Sequence, residues 1–244
     1  VVASGHVVTL ILLLAVCGFW HLPVPGHVEF LEGAIGGLEG SLALASFYRA
    51  LAMGAMGLTA ALTGLLTALV PVLFGLWSDG LPAPLAIGGL LLGCLAIWMI
   101  AHSPGHTTPP AALILGAVSG AGFGLQLILL KLASQGGVIW ALTSARMGGV
   151  AGLLAVLAFA WPGRDGLRSR FWWMGIVAGA LDTIGNVGYT IAAHTGRLDI
   201  AAMVSSLYPG FTILLAAIVL RERPTRRQTL GMAVALASVL MLSL

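Results

Sequence analysis

Asp182, Asn186 and Tyr189 stand at i, i+4 and i+7 within one apolar run, which puts a carboxylate, an amide and a phenol on a single helical face. Such a stripe can hold a polar solute, and its carboxylate can take up and release a proton. Glu39 and Ser46, seven residues apart, make a second stripe in another apolar run. A charge inside hydrocarbon is costly, so these side chains are expected to face a water-filled path or a partner. Arg146 is the candidate partner for Asp182 and is equally a candidate substrate contact. Arg49, Lys131 and His194 lie near the ends of their runs, where long side chains reach back to water. Gln126 reads as an interhelical hydrogen bond. No nucleophile–base set and no metal-ligand spacing emerges from the six histidines and two cysteines, and there is no HExxH, CxxC, P-loop or dinucleotide fingerprint. Neither catalytic residues, nor a cofactor, nor a metal site is expected.

The elements that must position these residues are membrane helices. Of 244 residues 59% are hydrophobic and only 8% charged, far below the roughly 25% charged residues of soluble domains. The apolar runs are long and unbroken, which fits helices of about 20 residues rather than the alternating ten-residue strands of a barrel. Nine spans can be drawn, at about 1–20, 33–53, 57–77, 84–102, 111–133, 139–161, 171–193, 199–220 and 229–244. Each of the seven tryptophans falls near a span end, as an interfacial belt requires. Glycines at four-residue spacing, such as Gly116/Gly120/Gly124 and Gly175/Gly179, predict helices packed closely through small residues. The formal charge of +3 comes from arginine-rich loops and does not point to nucleic acid; the expected partners are the bilayer and a small solute.

The chain also repeats itself. Tyr48, Pro71 and Gly89 answer to Tyr189, Pro209 and Gly231, at separations of 141, 138 and 142 residues. Repeats of this kind place a substrate path between two related halves. Tyr48 thereby joins Glu39, Ser46, Arg146, Asp182, Asn186 and Tyr189 as a substrate-path candidate. Pro71 and Pro209, each inside a span, are candidate hinges or static kinks.

The second half reads Tyr189-Thr-Ile-Ala, Gly196-Arg-Leu, Ser205-Ser206-Leu207-Tyr208-Pro209, Arg221-Glu222-Arg223-Pro224 and Gly231. The first half answers with Phe47-Tyr48-Arg49-Ala50-Leu51 and Leu66-Thr-Ala-Leu-Val-Pro71. It departs at Trp77-Ser-Asp79-Gly-Leu-Pro82, a turn about four residues shorter, with aspartate where the second half has Glu222. In this arrangement the chain resembles EamA-type transporters of the drug/metabolite transporter (DMT) superfamily. The resemblance implies an all-α polytopic membrane protein of two inverted five-helix repeats, here 1–102 and 111–244. Because Ser4-Gly5-His6-Val7 aligns with Ser144-Ala145-Arg146-Met147, the register predicts that one helix of roughly 30 residues precedes residue 1. A nine-helix variant is the alternative. The resemblance further implies a secondary transporter of small metabolites or drugs, exporting across the cytoplasmic (inner) membrane of a bacterium, with protons as a candidate coupling ion. An exchanger of phosphorylated or nucleotide-linked metabolites and a non-transporting scaffold are the alternatives. On orientation two arguments conflict: arginines of the loops after the sixth and eighth spans put the C-terminus outside, whereas the resemblance puts it in the cytoplasm.

Overall fold

A computed structural model describes residues 2–53, 56–101, 109–159, 172–207, 214, 218 and 225–243. Among these the chain is helical throughout, with no strand: α1 (Val2–Phe19), α2 (His27–Leu51), α3 (Met56–Ser78), α4 (Pro84–Ala101), α5 (Pro110–Ala133), α6 (Val138–Phe159), α7 (Trp172–Thr195), α8 (Leu198–Ser206) and α9 (Arg226–Ser243). Helix α2 begins six residues before the hydropathy boundary at 33. Glu29 and Glu32 lower the apparent apolarity there, yet a carboxylate in a first turn is favoured by the positive end of the helix dipole. By length and composition α1, α5, α6 and α7 can cross a membrane, and Leu62–Ser78 and Pro84–Ile100 are shorter apolar stretches. Of the eighth expected span, α8, Leu207, Leu214 and Ile218 are described, and Tyr208, Pro209 and Glu222 lie outside the described residues.

The helices form two compact units, Val1–Ala45 with Leu125–Thr195 and Ser46–Gly124 with Gly196–Leu244. Each unit therefore draws helices from both halves of the sequence.

In the first unit α1 lies against α6 and α7. The Ser4 hydroxyl donates to the Trp172 carbonyl at 3.0 Å, and Gly5 meets Gly175 and Gly179 backbone to backbone. Helix α2 runs along α6 through Gly33, Gly37 and Ser41, the last donating to the Gly149 carbonyl at 2.9 Å. Its Gly36 and Gly40 take Leu129 and Gln126 of α5. Lipid supplies little apolar driving force between helices, so contact without intervening side chains is what holds them.

The second unit follows the same rule. The Gly116, Gly120 and Gly124 stripe of α5 receives α3, and Thr63 donates to the Gly116 carbonyl at 2.9 Å. Pro71 sits within α3, fully buried, with its ring against Gly124. Helices α4 and α9 pack antiparallel and reciprocally: Leu242 lies on Gly89, Ile100 lies on Gly231, and Ser238 donates to the Gly89 carbonyl at 2.7 Å. Met203 of α8 closes this core, packed on Gly93.

Candidate functional site

The first unit gathers polar side chains where α6 and α7 meet. Residue 146 falls on the face of α6 that is buried from Ala141 onward, so the long Arg146 side chain is only 8% exposed. Asp182 projects from the middle of α7 at the edge of its buried face and is 54% exposed. The two form an ion pair, and the Arg146 guanidinium also donates to the Thr183 hydroxyl at 3.0 Å. Thr183 is fixed in turn by donating to the Gly179 carbonyl at 2.7 Å, one turn back. Both guanidinium contacts come from Nη2, so a single nitrogen is held between neighbouring residues of α7. His6, the counterpart of Arg146 in the first half, lies one turn along α6 with its ring against Gly149. On α7, Gly185 and Gly188 border open space where other glycines of this unit meet a neighbouring helix.

The expected stripe on α7 is present but changes character along its length. Asp182 is exposed, Asn186 is half-buried and donates to the Asp182 carbonyl at 2.9 Å, and Tyr189 is buried. The Tyr189 hydroxyl donates to the Leu127 carbonyl of α5 at 2.7 Å, which ties α7 to α5. On α2, Glu39 and Ser46 are half-buried on one face, and Glu32, one heptad earlier, extends it. Among the described residues no hydrogen bond joins Glu39 to the Arg146 cluster. Tyr48 is 53% exposed near the end of α2, beside Phe47, whose ring stacks edge-on with Phe123 at 6.5 Å. Pro209 is outside the described residues. The structure thus brings Arg146, Asp182 and Asn186 together, gives Tyr189 a packing bond, and leaves the α2 stripe separate.

Two participants were not singled out from sequence. Thr183 is an ordinary helix residue until its neighbour is known. Asp199, completely buried at the start of α8, is held by Arg197 in a bidentate pair at 2.9 and 3.1 Å. Its hydrogen bond raises the Arg197 guanidinium above the ordinary arginine value, against some desolvation, so Arg197 remains a cation. An aspartate two residues after an arginine at a helix start was the available signal, because the spacing permits just such a local pair. Among the described residues no group of three potential ligands could hold a metal ion.

Comparison with known proteins gives the arrangement its context. Residues 110–244, from the first turn of α5 to the end of the chain, match the sequence model of the EamA-like transporter family. A solved structure described only as "Crystal structure of protein" has the same fold, with a TM-score of 0.82 and 16% identity over 100% of this chain and 87% of the other. No curated protein matches the sequence.

Proposed function

This chain belongs to the EamA-like transporter family of the DMT superfamily, a family of membrane transporters for small molecules, and on that premise we propose how it works. It is a secondary transporter that exports small metabolites or drugs by alternating access, in the cytoplasmic membrane of a bacterium. Two inverted repeats, 1–102 and 111–244, rock about a site near the midplane. The reciprocal seating of Leu242 on Gly89 and Ile100 on Gly231 supports this, because these pairs exchange under the 142-residue repeat. Such i-to-j and j-to-i contacts are what a two-fold axis produces. Pro71 and Pro209 serve the rocking as hinges.

The observation that carries the site is the Arg146–Asp182 pair: a buried cation holding a half-exposed carboxylate in mid-helix, beside the open surface of Gly185 and Gly188. Asp182 and Asn186 contact substrate there, with Glu39 of the same unit further along the path. Protons are the coupling ion, carried by Asp182 and Glu39. An exchanger of phosphorylated compounds would use an intramembrane cation to hold its anion, and Arg146 is neutralised by Asp182. The test is flux of candidate metabolites into proteoliposomes under an imposed pH gradient, with Asp182→Asn and Glu39→Gln. Gradient-driven flux is expected to disappear while exchange down a substrate gradient persists. Unchanged gradient-driven flux in both variants would remove the proton coupling. No flux from correctly folded wild-type protein for any substrate tried would favour a scaffold.

A further inference from the structure

The Arg146–Asp182 pair has an unlike copy in the other half of the sequence, and the first unit brings the two together. By the repeat register Arg146 answers to His6 and Asp182 to Ser41, at separations of 140 and 141 residues. Helix α1, which carries His6, lies against α6 and α7, the two helices of the pair. The ring edge formed by Cδ2 and Nε2 rests over Gly149, one turn from Arg146, where an added Cβ would come within 3.0 Å of Cδ2 and 3.5 Å of Nε2. Ser41 of α2 reaches the same glycine and donates to its carbonyl at 2.9 Å. On the other side of the ring Nδ1 lies 3.3 Å from the Val2 carbonyl. A carbonyl only accepts, so Nδ1 carries the hydrogen and Nε2 holds the free lone pair. Among the described residues two charges act on this ring, the Arg146 guanidinium from α6 and the Asp182 carboxylate from α7, while α2 offers the uncharged Ser41.

We infer that His6 is a proton-binding member of this site, and that its imidazolium competes with Arg146 for the Asp182 carboxylate. The inference rests on the proton coupling proposed above and adds a residue to it. Arg146 stays charged at every working pH, so the pair by itself contains a permanent cation. An imidazole is the side chain that gains and loses its charge near neutral pH. The proton comes from water, which the half-buried ring can meet, and enters the Nε2 lone pair while Nδ1 keeps its hydrogen on the Val2 carbonyl. Two cations then face one carboxylate. The partner that the register gives His6 is a hydroxyl already committed to Gly149, so the new charge has Asp182 as its counter-ion. Proton uptake therefore loosens the hold of Arg146 on Asp182 and draws that carboxylate away from its exposed side, where substrate would meet it. The two halves of the sequence contribute one permanent cation and one that depends on a proton. Arginine at both places would hold Asp182 without responding to pH.

The experiment is a proton titration. The full chain, with its six histidines isotope-labelled in the ring, is placed in nanodiscs and followed by NMR as the pH is varied. The His6 signal is the one lost in His6→Gln. Removing a neighbouring carboxylate disfavours an imidazolium, and removing a neighbouring guanidinium favours it. Asp182→Asn is therefore expected to shift the His6 midpoint downward and Arg146→Met to shift it upward. His194, bonded to Ser134 near the end of α7, should not move in either. By linkage, whatever the pair does to protonation of His6, protonation does to the pair. Either variant decides the matter if the other does not fold. A His6 midpoint that ignores both substitutions, or moves the same way in both, would overturn the inference. Titration requires no substrate, so a wild-type protein without flux would sink the transport reading alone. Gradient-driven flux with an indifferent His6 midpoint would sink the His6 inference alone.

Discussion

The unequal exposure of Arg146 and Asp182 predicts that the two halves of their ion pair are not equivalent under mutation. Asp182→Ala leaves a guanidinium that is 8% exposed with Thr183 as its remaining acceptor. Removing one partner of a buried pair costs about 3–5 kcal/mol. Thr183 and the wet half of the pair reduce this to about 2–3 kcal/mol. Arg146→Met keeps the volume of the arginine stem and leaves a carboxylate that is 54% exposed. If that open side faces water, the carboxylate regains its hydration and the loss is about 1 kcal/mol. Asp182→Ala should therefore be the more damaging by about 1–2 kcal/mol. The double variant should recover most of the difference, because it strands no charge. Reversible unfolding in bicelles, followed for all three proteins, measures these quantities. A reversed order would refute the reasoning: an orphaned carboxylate against lipid costs about 2.5–3.5 kcal/mol, and Asp182 would then face hydrocarbon rather than a path.

Two further predictions separate packing from transport. Gly185→Leu enters open space and should leave unfolding unchanged within about 1 kcal/mol while sharply reducing flux, whereas Gly37→Leu drives into the Ala145 carbonyl and should abolish a folded, monodisperse protein in size-exclusion chromatography. Tyr189→Phe removes a hydroxyl that binds the Leu127 carbonyl, so it should lower unfolding stability by about 1 kcal/mol and leave substrate KM within about twofold.

Much of the helix framework was legible in the sequence because hydrocarbon imposes long apolar segments and puts tryptophan at their ends. Trp77, Trp98, Trp140, Trp172 and Trp173 all lie in the first or last turns of described helices. The start of α2 was not legible, since hydropathy counts Glu29 and Glu32 against a helix that Glu29, in its first turn, helps to begin. Among the site candidates, periodicity put Asp182, Asn186 and Tyr189 on one helical face. It could not show that the face turns inward before Tyr189, because burial there depends on Leu127 of α5, 62 residues away. Asp199 escaped notice for a related reason: its complete burial is created by Gly75 and the α3–α4 turn, which the local sequence does not contain.

The interleaving of the two compact units has a consequence for biosynthesis. Ser4 and Trp172 are hydrogen-bonded across 168 residues, and the whole second-unit segment Ser46–Gly124 is made between the two strands of chain that complete the first unit. At about 5–20 residues per second, α1 waits roughly ten to thirty seconds in the bilayer before α7 emerges from the ribosome. Throughout that interval the bare backbone at Gly5 and the glycine face of α2 have lipid or other nascent helices as neighbours. Insertion of the helices and their assembly are thus separate stages for this chain, and the second is gated by translation of the last third. Slow codons or a stalled ribosome before α6 would prolong the period in which those faces can pair with the wrong helix.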